Sequence, residues 1–428
     1  MRPGPRLAAA IEILDEIAKG ARAADVVVQA YFRARRYAGS GDRNAITERV
    51  WWALRHRGAL AFVMSGGADA SGRQLALASL VMRDGLGLDE IRALADGGPH
   101  APAPLDEGEA AALARAAAGG ATPEWVRLNL PADLLPAFRR RYGADLDAGL
   151  AALDGRAPLD LRVNLAKASR EAAASRLLAD GIATEPTPLS PWGLRVVGRE
   201  RLVEGEPFAH GLIEIQDEGA QLASLLVAAR PGQAVLDFCA GAGGKTLALA
   251  AVMRGEGRLV ATDSDGRRLA RLAPRLARAG ARAEVHALAG PADPWLAAEA
   301  ERFDRVLVDA PCSLTGTWRR HPEVRWRLDA AGVARLAGVQ GDLLDRAANL
   351  VAPGGRLVYA TCSLLAEENE DVVAAFLDRD ARFRARDPAS LWTEAELPGA
   401  APATGPGLLL DPWRHGTDGF FVAVLDRV

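Results

Sequence analysis

Cysteine is scarce in this chain: Cys239, Cys312 and Cys362 are the only three among 428 residues. So few thiols exclude a disulfide framework. The absence of a Cys-x-x-Cys pair or a histidine cluster removes any reason to expect a metal. Lysine is as rare, with Lys19, Lys167 and Lys245 set against forty-nine arginines. A lysine kept in such a chain marks a place where a compact ammonium serves better than a planar guanidinium. No apolar run approaches the roughly 18 residues of a membrane span, and "LALASLVM" (75–82) has the length of a buried helix. The first twenty residues carry acids inside their apolar stretch, unlike a secretory signal. A reducing cytoplasm, no membrane and a monomer are the expectations.

Net charge is −3, which argues against a general nucleic-acid binder. The charge is uneven, however: residues 1–60 hold eleven Lys/Arg against six Asp/Glu, so the start of the chain is +5 and the rest −8. At this length two or three domains are expected. Residues 1–95 read as all-helical, with Leu7, Ile11, Leu14 and Ile17, then Ile46, Val50 and Leu54, at helical spacing. Residues 96–125, rich in Ala, Gly and Pro, read as a linker around one short helix. Residues 126–205 read as a small α/β unit. It has strands at "PLDLRVN" (158–164) and "GLRVV" (193–197), and a helix over 169–181 capped by Ser169 and stopped at Gly181. From 206 to 428 strands and helices alternate: "AVLDFC", "RLVATD", "RVLVDA" and "RLVYAT" are each followed by a turn and a helical stretch, and the closing "GTDGFFVAVLDRV" adds a hairpin-like strand. That alternation predicts a doubly wound, mainly parallel sheet with ligands at the carboxyl ends of its strands.

"VLDFCAGAGGKTLALAA" (235–251) is a strand, a glycine-rich turn and a helix. It fails as a phosphate-binding P-loop, because Cys239 stands where the first glycine belongs, and as a dinucleotide fingerprint, because the last glycine is missing. Nineteen residues after Gly244, Asp263 ends the next strand, at the distance where a carboxylate accepts both ribose hydroxyls of an adenosine cofactor. Asp237 precedes the glycines; it would repel a pyrophosphate and suit a cationic cofactor tail. S-adenosylmethionine therefore fits better than NAD.

Cys312 and Cys362 occupy matching places, each ending an apolar run and each followed by serine. A lone buried cysteine is ordinarily a small core hydrophobe. Two at neighbouring strand ends beside a methyl donor suggest chemistry. A thiolate adds to an electron-poor ring carbon, and addition to carbon 6 of cytosine makes carbon 5 nucleophilic enough to take a methyl cation. A second group must then remove the carbon 5 proton.

"DFCAGAGGKT", Asp263, "DAPCSLTGTWRRHPEVRW" and "YATCSLLAEENEDVV", with "IQDEGAQLA" (215–223) and "HGTDGFF" (415–421), resemble the RsmB/Nop/Sun family of RNA cytosine-5 methyltransferases over about residues 120–428. The resemblance implies a Rossmann-like α/β class I methyltransferase domain behind a small RRM-like α/β subdomain. It also implies Cys362 as nucleophile and Cys312 as the residue assisting release. Asp309 is implied to hold the cytosine amino edge, with Lys245 near the base. The cofactor is expected against Asp237, Cys239, Ala240, Gly241, Ala242, Gly243, Gly244, Lys245, Asp263, Arg268, Asp309 and Pro311. The family's adenine-contacting acid has no clear counterpart; Asp293 is the nearest. RNA is expected on Arg162 and Asn164 of "LRVN", and on Trp318, Arg319, Arg320 and Arg325, where arginine and tryptophan alternate as single-stranded RNA sites require. The six arginines of 266–282 read as a solvated helix face.

Residues 1–95, with "YFRARRYAGSGDRNAITERVWWALRHRGAL" (31–60), resemble the NusB-like helical domain of bacterial ribosomal-RNA members, and the Arg33, Arg35, Arg36 cluster favours RNA there. The expected function is 5-methylcytosine formation in bacterial small-subunit rRNA, with transfer RNA as the alternative substrate. A non-catalytic rRNA assembly factor and, more remotely, a nicotinamide oxidoreductase are readings of other classes.

Overall fold

The computed structural model describes residues 1–198 and 205–428. Its chain divides into two compact units: residues 1–155 with 318–330, and residues 156–317 with 331–428.

The first unit is helical. Its main helices are α1 (Pro3–Ala18), α2 (Ala24–Ala34), α3 (Ser40–Arg55), α4 (Arg57–Ser65), α5 (Gly72–Met82), α6 (Leu88–Leu94) and α7 (Glu107–Ala118). Leu7, Leu14 and Ile17 face the core with Ile13, as do Ile46, Val50 and Leu54, while Ile11 sits only at its edge. Helix α5 is the central element, buried from Leu75 to Leu80, and Ser71 and Gln74 close a capping box at its start. The stretch expected as a linker, 96–125, is instead partly core. Asp106 and Glu109 form a capping box, and α7 buries Ala112 and Leu113. The one short helix expected in that stretch is α7; the alanine-rich composition concealed its packing, because alanine buries without cost in side-chain entropy.

Residues 318–330 complete this unit. Trp318 is 0% exposed, its ring 5.3 Å from that of Phe138. Arg325 lies over the Trp318 ring at 4.7 Å, pairs with Asp154 at 2.6 Å and donates to the Asn129 carbonyl at 2.9 Å. Trp326 packs so closely on Gly58 that a Cβ there would come within 2.7 Å of the indole.

The second unit contains two sheets. The smaller is antiparallel, in the order β2 (Thr184–Pro186), β3 (Gly193–Val196), β1 (Asp160–Val163), β4 (Ile213–Ile215). Ser169 caps the helix Arg170–Ala179 through the Ala172 N–H, and this helix buries Ala173 and Leu177 against the sheet. The expected boundary at 205/206 therefore cuts this sheet from its edge strand β4.

The larger sheet takes β5 (Ala234–Asp237), β6 (Arg258–Asp263), β7 (Glu284–Ala287), β8 (Phe303–Asp309), β9 (Val351–Thr361), β10 (Phe383–Ala385), β11 (Ala403–Thr404), β12 (Gly407–Leu410) and β13 (Phe420–Arg427). Its order is 11-12-13-9-8-5-6-7, with β10 also on β13. Strands β5 to β9 are parallel and β13 runs antiparallel between β9 and β12. Val235, Leu236, Val306, Leu307, Val308 and Leu357 are all fully buried, as strands covered on both faces must be. The order reverses at β5, between β6 and β8, and a ligand crevice belongs at that point.

Candidate active site

Four neighbouring strands deliver their last side chains to one edge of the sheet: Asp237 from β5, Asp263 from β6, Asp309 from β8, and Cys362 just past β9. A cavity of about 670 Å³ opens there, the size of a small-molecule site. Asp263, Asp265, Asp309 and Arg268 supply polar groups. Leu288, Pro291, Val339 and Leu343 supply an apolar wall, and Cys312 and Cys362 both reach it.

The glycine-rich loop bends where the sequence required it. Gly241 and Gly243 have φ of +54° and +83°, and a Cβ on Gly241 would lie 2.7 Å from Arg268 Nη2. The loop is latched by Asp263, whose Oδ2 accepts the Gly241 N–H at 2.7 Å, while Oδ1 accepts that of Asp265 at 2.7 Å. Cys239, Ala240, Asp263, Arg268, Asp309 and Pro311 line the cavity. Asp237 does not. It is fully buried behind the loop, with Oδ2 taking the Thr246 hydroxyl at 2.7 Å and Oδ1 lacking any partner. Burial pushes its pKa up to about 7, against the Thr246 bond. Burial likewise pushes the Cys239 thiol up, so this cysteine is a poor nucleophile.

The Sγ atoms of Cys312 and Cys362 are 3.3 Å apart. The hydrogen bond to Cys312, then burial, hold the Cys362 thiol well above the ordinary thiol range; Lys245 acts in the opposite direction. Lys245, nearly buried, donates to Asp309 Oδ2 at 2.7 Å and sits 4.6 Å from the Phe420 ring centre.

Asp293 is not in the cavity: it caps the helix Pro294–Ala298, accepting the N–H groups of Trp295 and Ala289. The apolar Leu288–Pro291 wall stands where an adenine-binding acid was sought. Arg162 and Asn164 are also buried, contrary to the expected RNA contact. Arg162 donates to the Gly244 carbonyl at 2.6 Å and to Gln216, and Asn164 donates to the Gly211 and Ala279 carbonyls at 3.0 Å each. Arg162 thus ties the small sheet to the start of the helix that follows the glycine loop, and Asn164 ties it to the end of the helix Leu272–Ala279. Trp318, Arg319 and Arg325 are likewise interior residues, and Arg320 is half-buried beside them. The arginines of 266–282 are not merely solvated: Arg275 and Arg278 both pair with Glu214 of β4, and Arg268 enters the cavity. Two other motifs serve the frame. Asp217 of "IQDEGAQLA" accepts the N–H of Asp418 in "HGTDGFF" at 3.0 Å, tying the two together.

A sheet whose parallel strands β5 to β9 reverse order at β5, continue through antiparallel pairing at β13 and gather acids round a glycine-rich loop defines a Rossmann-like methyltransferase fold. A family model described as 16S rRNA methyltransferase RsmB/F matches residues 224–426, and one for the ferredoxin-like domain of RsmF/B-like methyltransferases matches residues 130–201. Ribosomal RNA small subunit methyltransferase B of Vibrio cholerae is 36% identical over 306 residues, covering 70% of this chain and 66% of that protein. Its counterpart in Pseudomonas putida is 38% identical over 305 residues, covering 71% and 67%. The crystal structure of PH0851 superposes with a TM-score of 0.82 at 25% identity, covering 100% of this chain and 99% of that one. The chain belongs to the RsmB/F family of rRNA methyltransferases. Among the described residues no His/Cys/Asp/Glu group is arranged to hold a metal, and no helix is long and apolar enough to cross a membrane.

Proposed function

We propose that the protein is an S-adenosylmethionine-dependent RNA (cytosine-5)-methyltransferase that forms 5-methylcytosine in small-subunit rRNA. The observation that carries this reading is the 3.3 Å approach of Cys312 and Cys362 at the mouth of a cavity fit for an adenosine group. The fit rests on the carboxylate of Asp263 for a ribose diol and on the apolar face of Leu288 and Pro291. S-adenosylmethionine, when bound there, supplies the methyl cation. Cys239, Ala240, Gly241, Asp263, Arg268 and Pro311 would hold it.

The chain's own residues do the rest. A cytosine flipped from its stack is received at the strand ends. Lys245 fixes Asp309 by one oxygen, leaving the carboxylate free to accept from the exocyclic amine. The Cys362 thiolate adds to carbon 6, and the electron pair displaced onto carbon 5 takes the methyl. Once Cys362 is bonded to carbon 6, Cys312 gives its thiol proton to solvent and, as thiolate, removes the carbon 5 proton. The carbon 6–sulfur bond breaks, Cys362 leaves as thiolate and Cys312 is left protonated.

The exposed Arg33, Arg36 and Tyr37 of the helical unit, within its basic first sixty residues, are the proposed RNA contacts there.

The test is a denaturing gel of Cys312→Ala mixed with S-adenosylmethionine and unmethylated small-subunit rRNA. A protein–RNA adduct is expected with Cys312→Ala and absent in Cys312→Ala/Cys362→Ala. No adduct on an RNA that wild type methylates would remove the assigned division between the thiols. Methylation of transfer RNA alone would move the substrate.

A further inference from the structure

The residue after each cysteine leads away from the cavity to a common anchor. Ser313 and Ser363 are both buried, with hydroxyl oxygens 3.2 Å apart. Both hydroxyls donate to one oxygen, Oε2 of Glu368. Glu368 Oε1 accepts the Ser313 N–H at 2.9 Å and Gln340 Nε2 at 3.0 Å. Glu368 itself is 0% exposed. A carboxylate taken that far from water is costly unless donors converge on it, and here four do.

The surrounding bonds point to the same two loops. Gln340 Nε2 also reaches the Pro311 carbonyl at 2.9 Å, and the Gly316 N–H donates to the Cys362 carbonyl at 2.9 Å. The Leu364 N–H donates to Thr315 Oγ1 at 2.8 Å, Asn369 Nδ2 to the Ser363 carbonyl at 2.9 Å, and the Tyr359 hydroxyl to the Glu368 carbonyl at 2.6 Å. Ladder bonds of β8 and β9 end just before the cysteines, at Asp309 and Ala360. Beyond that point the sheet no longer sets the spacing of the two loops. A thiol is a weak donor and a weak acceptor, so the sulfur pair cannot hold itself together.

We propose that Glu368 is the positioning residue of the thiol pair: by taking one hydroxyl from the residue after each cysteine, it sets the distance and mutual orientation of the two sulfurs. This rests on the two-thiol reading above. The sulfur that makes the bond to the base and the sulfur that prompts its rupture are thereby hung from one carboxylate.

Glu368→Gln keeps the volume but puts an NH₂ where an oxygen accepted, so at least one hydroxyl bond must reverse or break. Turnover is expected to fall roughly tenfold to a hundredfold, the scale of a misplaced reacting group, with KM for RNA and affinity for S-adenosylhomocysteine little changed. The serines give the sharper readout. Ser363→Ala in the Cys312→Ala background is expected to slow adduct formation. Ser313→Ala in an otherwise unaltered chain is expected to slow release, so that adduct accumulates. General destabilisation does not divide the reaction in this way. Loss of both halves together with loss of S-adenosylhomocysteine binding overturns the proposal, as do unchanged rates in all three variants while Cys312→Ala still traps RNA. No adduct from Cys312→Ala on RNA that wild type methylates removes the two-thiol reading instead, and Glu368's assignment with it.

Discussion

Cys312 Sγ lies 3.3 Å from Cys362 Sγ, although fifty residues separate them in the chain. At that distance two thiolates repel strongly, so the negative charge belongs to one sulfur at a time. A pair that shares one charge suits a reaction in which a bond to one sulfur forms and later breaks with help from the other.

The rate of methyl transfer should therefore depend on pH. Because the Cys362 thiol is held high, chiefly by its bond to Cys312, the thiolate is a small fraction at neutral pH and grows as pH rises. Single-turnover rates are expected to increase about tenfold per unit from pH 7 toward 9. In Cys312→Ala the largest cause is gone, and the profile for adduct formation is expected to move to lower pH. A flat profile in rapid-quench experiments would contradict the assignment of Cys362.

Lys245 should not tolerate arginine. Its ammonium fits between Asp309 and the Phe420 ring with almost no exposure, and a guanidinium is larger and planar. Lys245→Arg is expected to reduce kcat by roughly tenfold to a hundredfold. Steady-state kinetics on rRNA give the comparison, and an unchanged kcat counts against a role beside the base.

Asp237 makes the ligand-free protein sensitive to base. Unfolded, its carboxyl ionises near the ordinary 3.8; folded, burial keeps the proton on until about pH 7. Between those values the folded state binds more protons, so stability is fully present below about pH 4 and falls as pH rises toward 7. The whole effect is of the order of 4 kcal/mol. Asp237→Asn never ionises, so its melting temperature should exceed that of wild type above pH 7 and the difference should close near pH 4. Differential scanning fluorimetry at a series of pH values reads this directly.

Arg325→Ala should destabilise the helical unit. It strips the cationic partner from Asp154, leaving it the Asn129 amide, and uncovers one face of Trp318, at a cost of about 3 kcal/mol, the lower end for a broken buried pair because Asp154 remains partly hydrated. The salt dependence of RNA binding should stay as in wild type. By contrast, Arg33→Glu/Arg36→Glu should weaken RNA binding and flatten its salt slope, as loss of phosphate contacts does. Filter binding at several salt concentrations separates the two cases.

The strand-end residues were readable because each β-rich run stops at an acid or a cysteine before a turn, and a parallel sheet collects such ends on one edge. Residues 317–328 misled for an equally physical reason. Arginine alternating with tryptophan describes an RNA groove and a buried ion-pair strap alike; the decision lies with Phe138, Asp154 and Gly58, far upstream, which no local pattern can join to it. Arg162 and Asn164 show the same thing, since their acceptors are backbone carbonyls that carry no sequence signature. Glu368 carries no such mark: it sits in "AEENED", and a run of acids is ordinarily a solvated face.

The bond from Arg162 to the Gly244 carbonyl bears on where the chain can be cut. Residue 162 grips the first turn of the helix behind the cofactor loop, and Glu214 clamps Arg275 and Arg278 from the same small sheet. A catalytic fragment beginning at 206 would keep Glu214 but lose Arg162 and β1, leaving the Gly244 carbonyl without its donor and β4, which carries Glu214, without the strand it pairs with. The small sheet is therefore inherited with the methyltransferase sheet, both lying in the unit of residues 156–317 and 331–428.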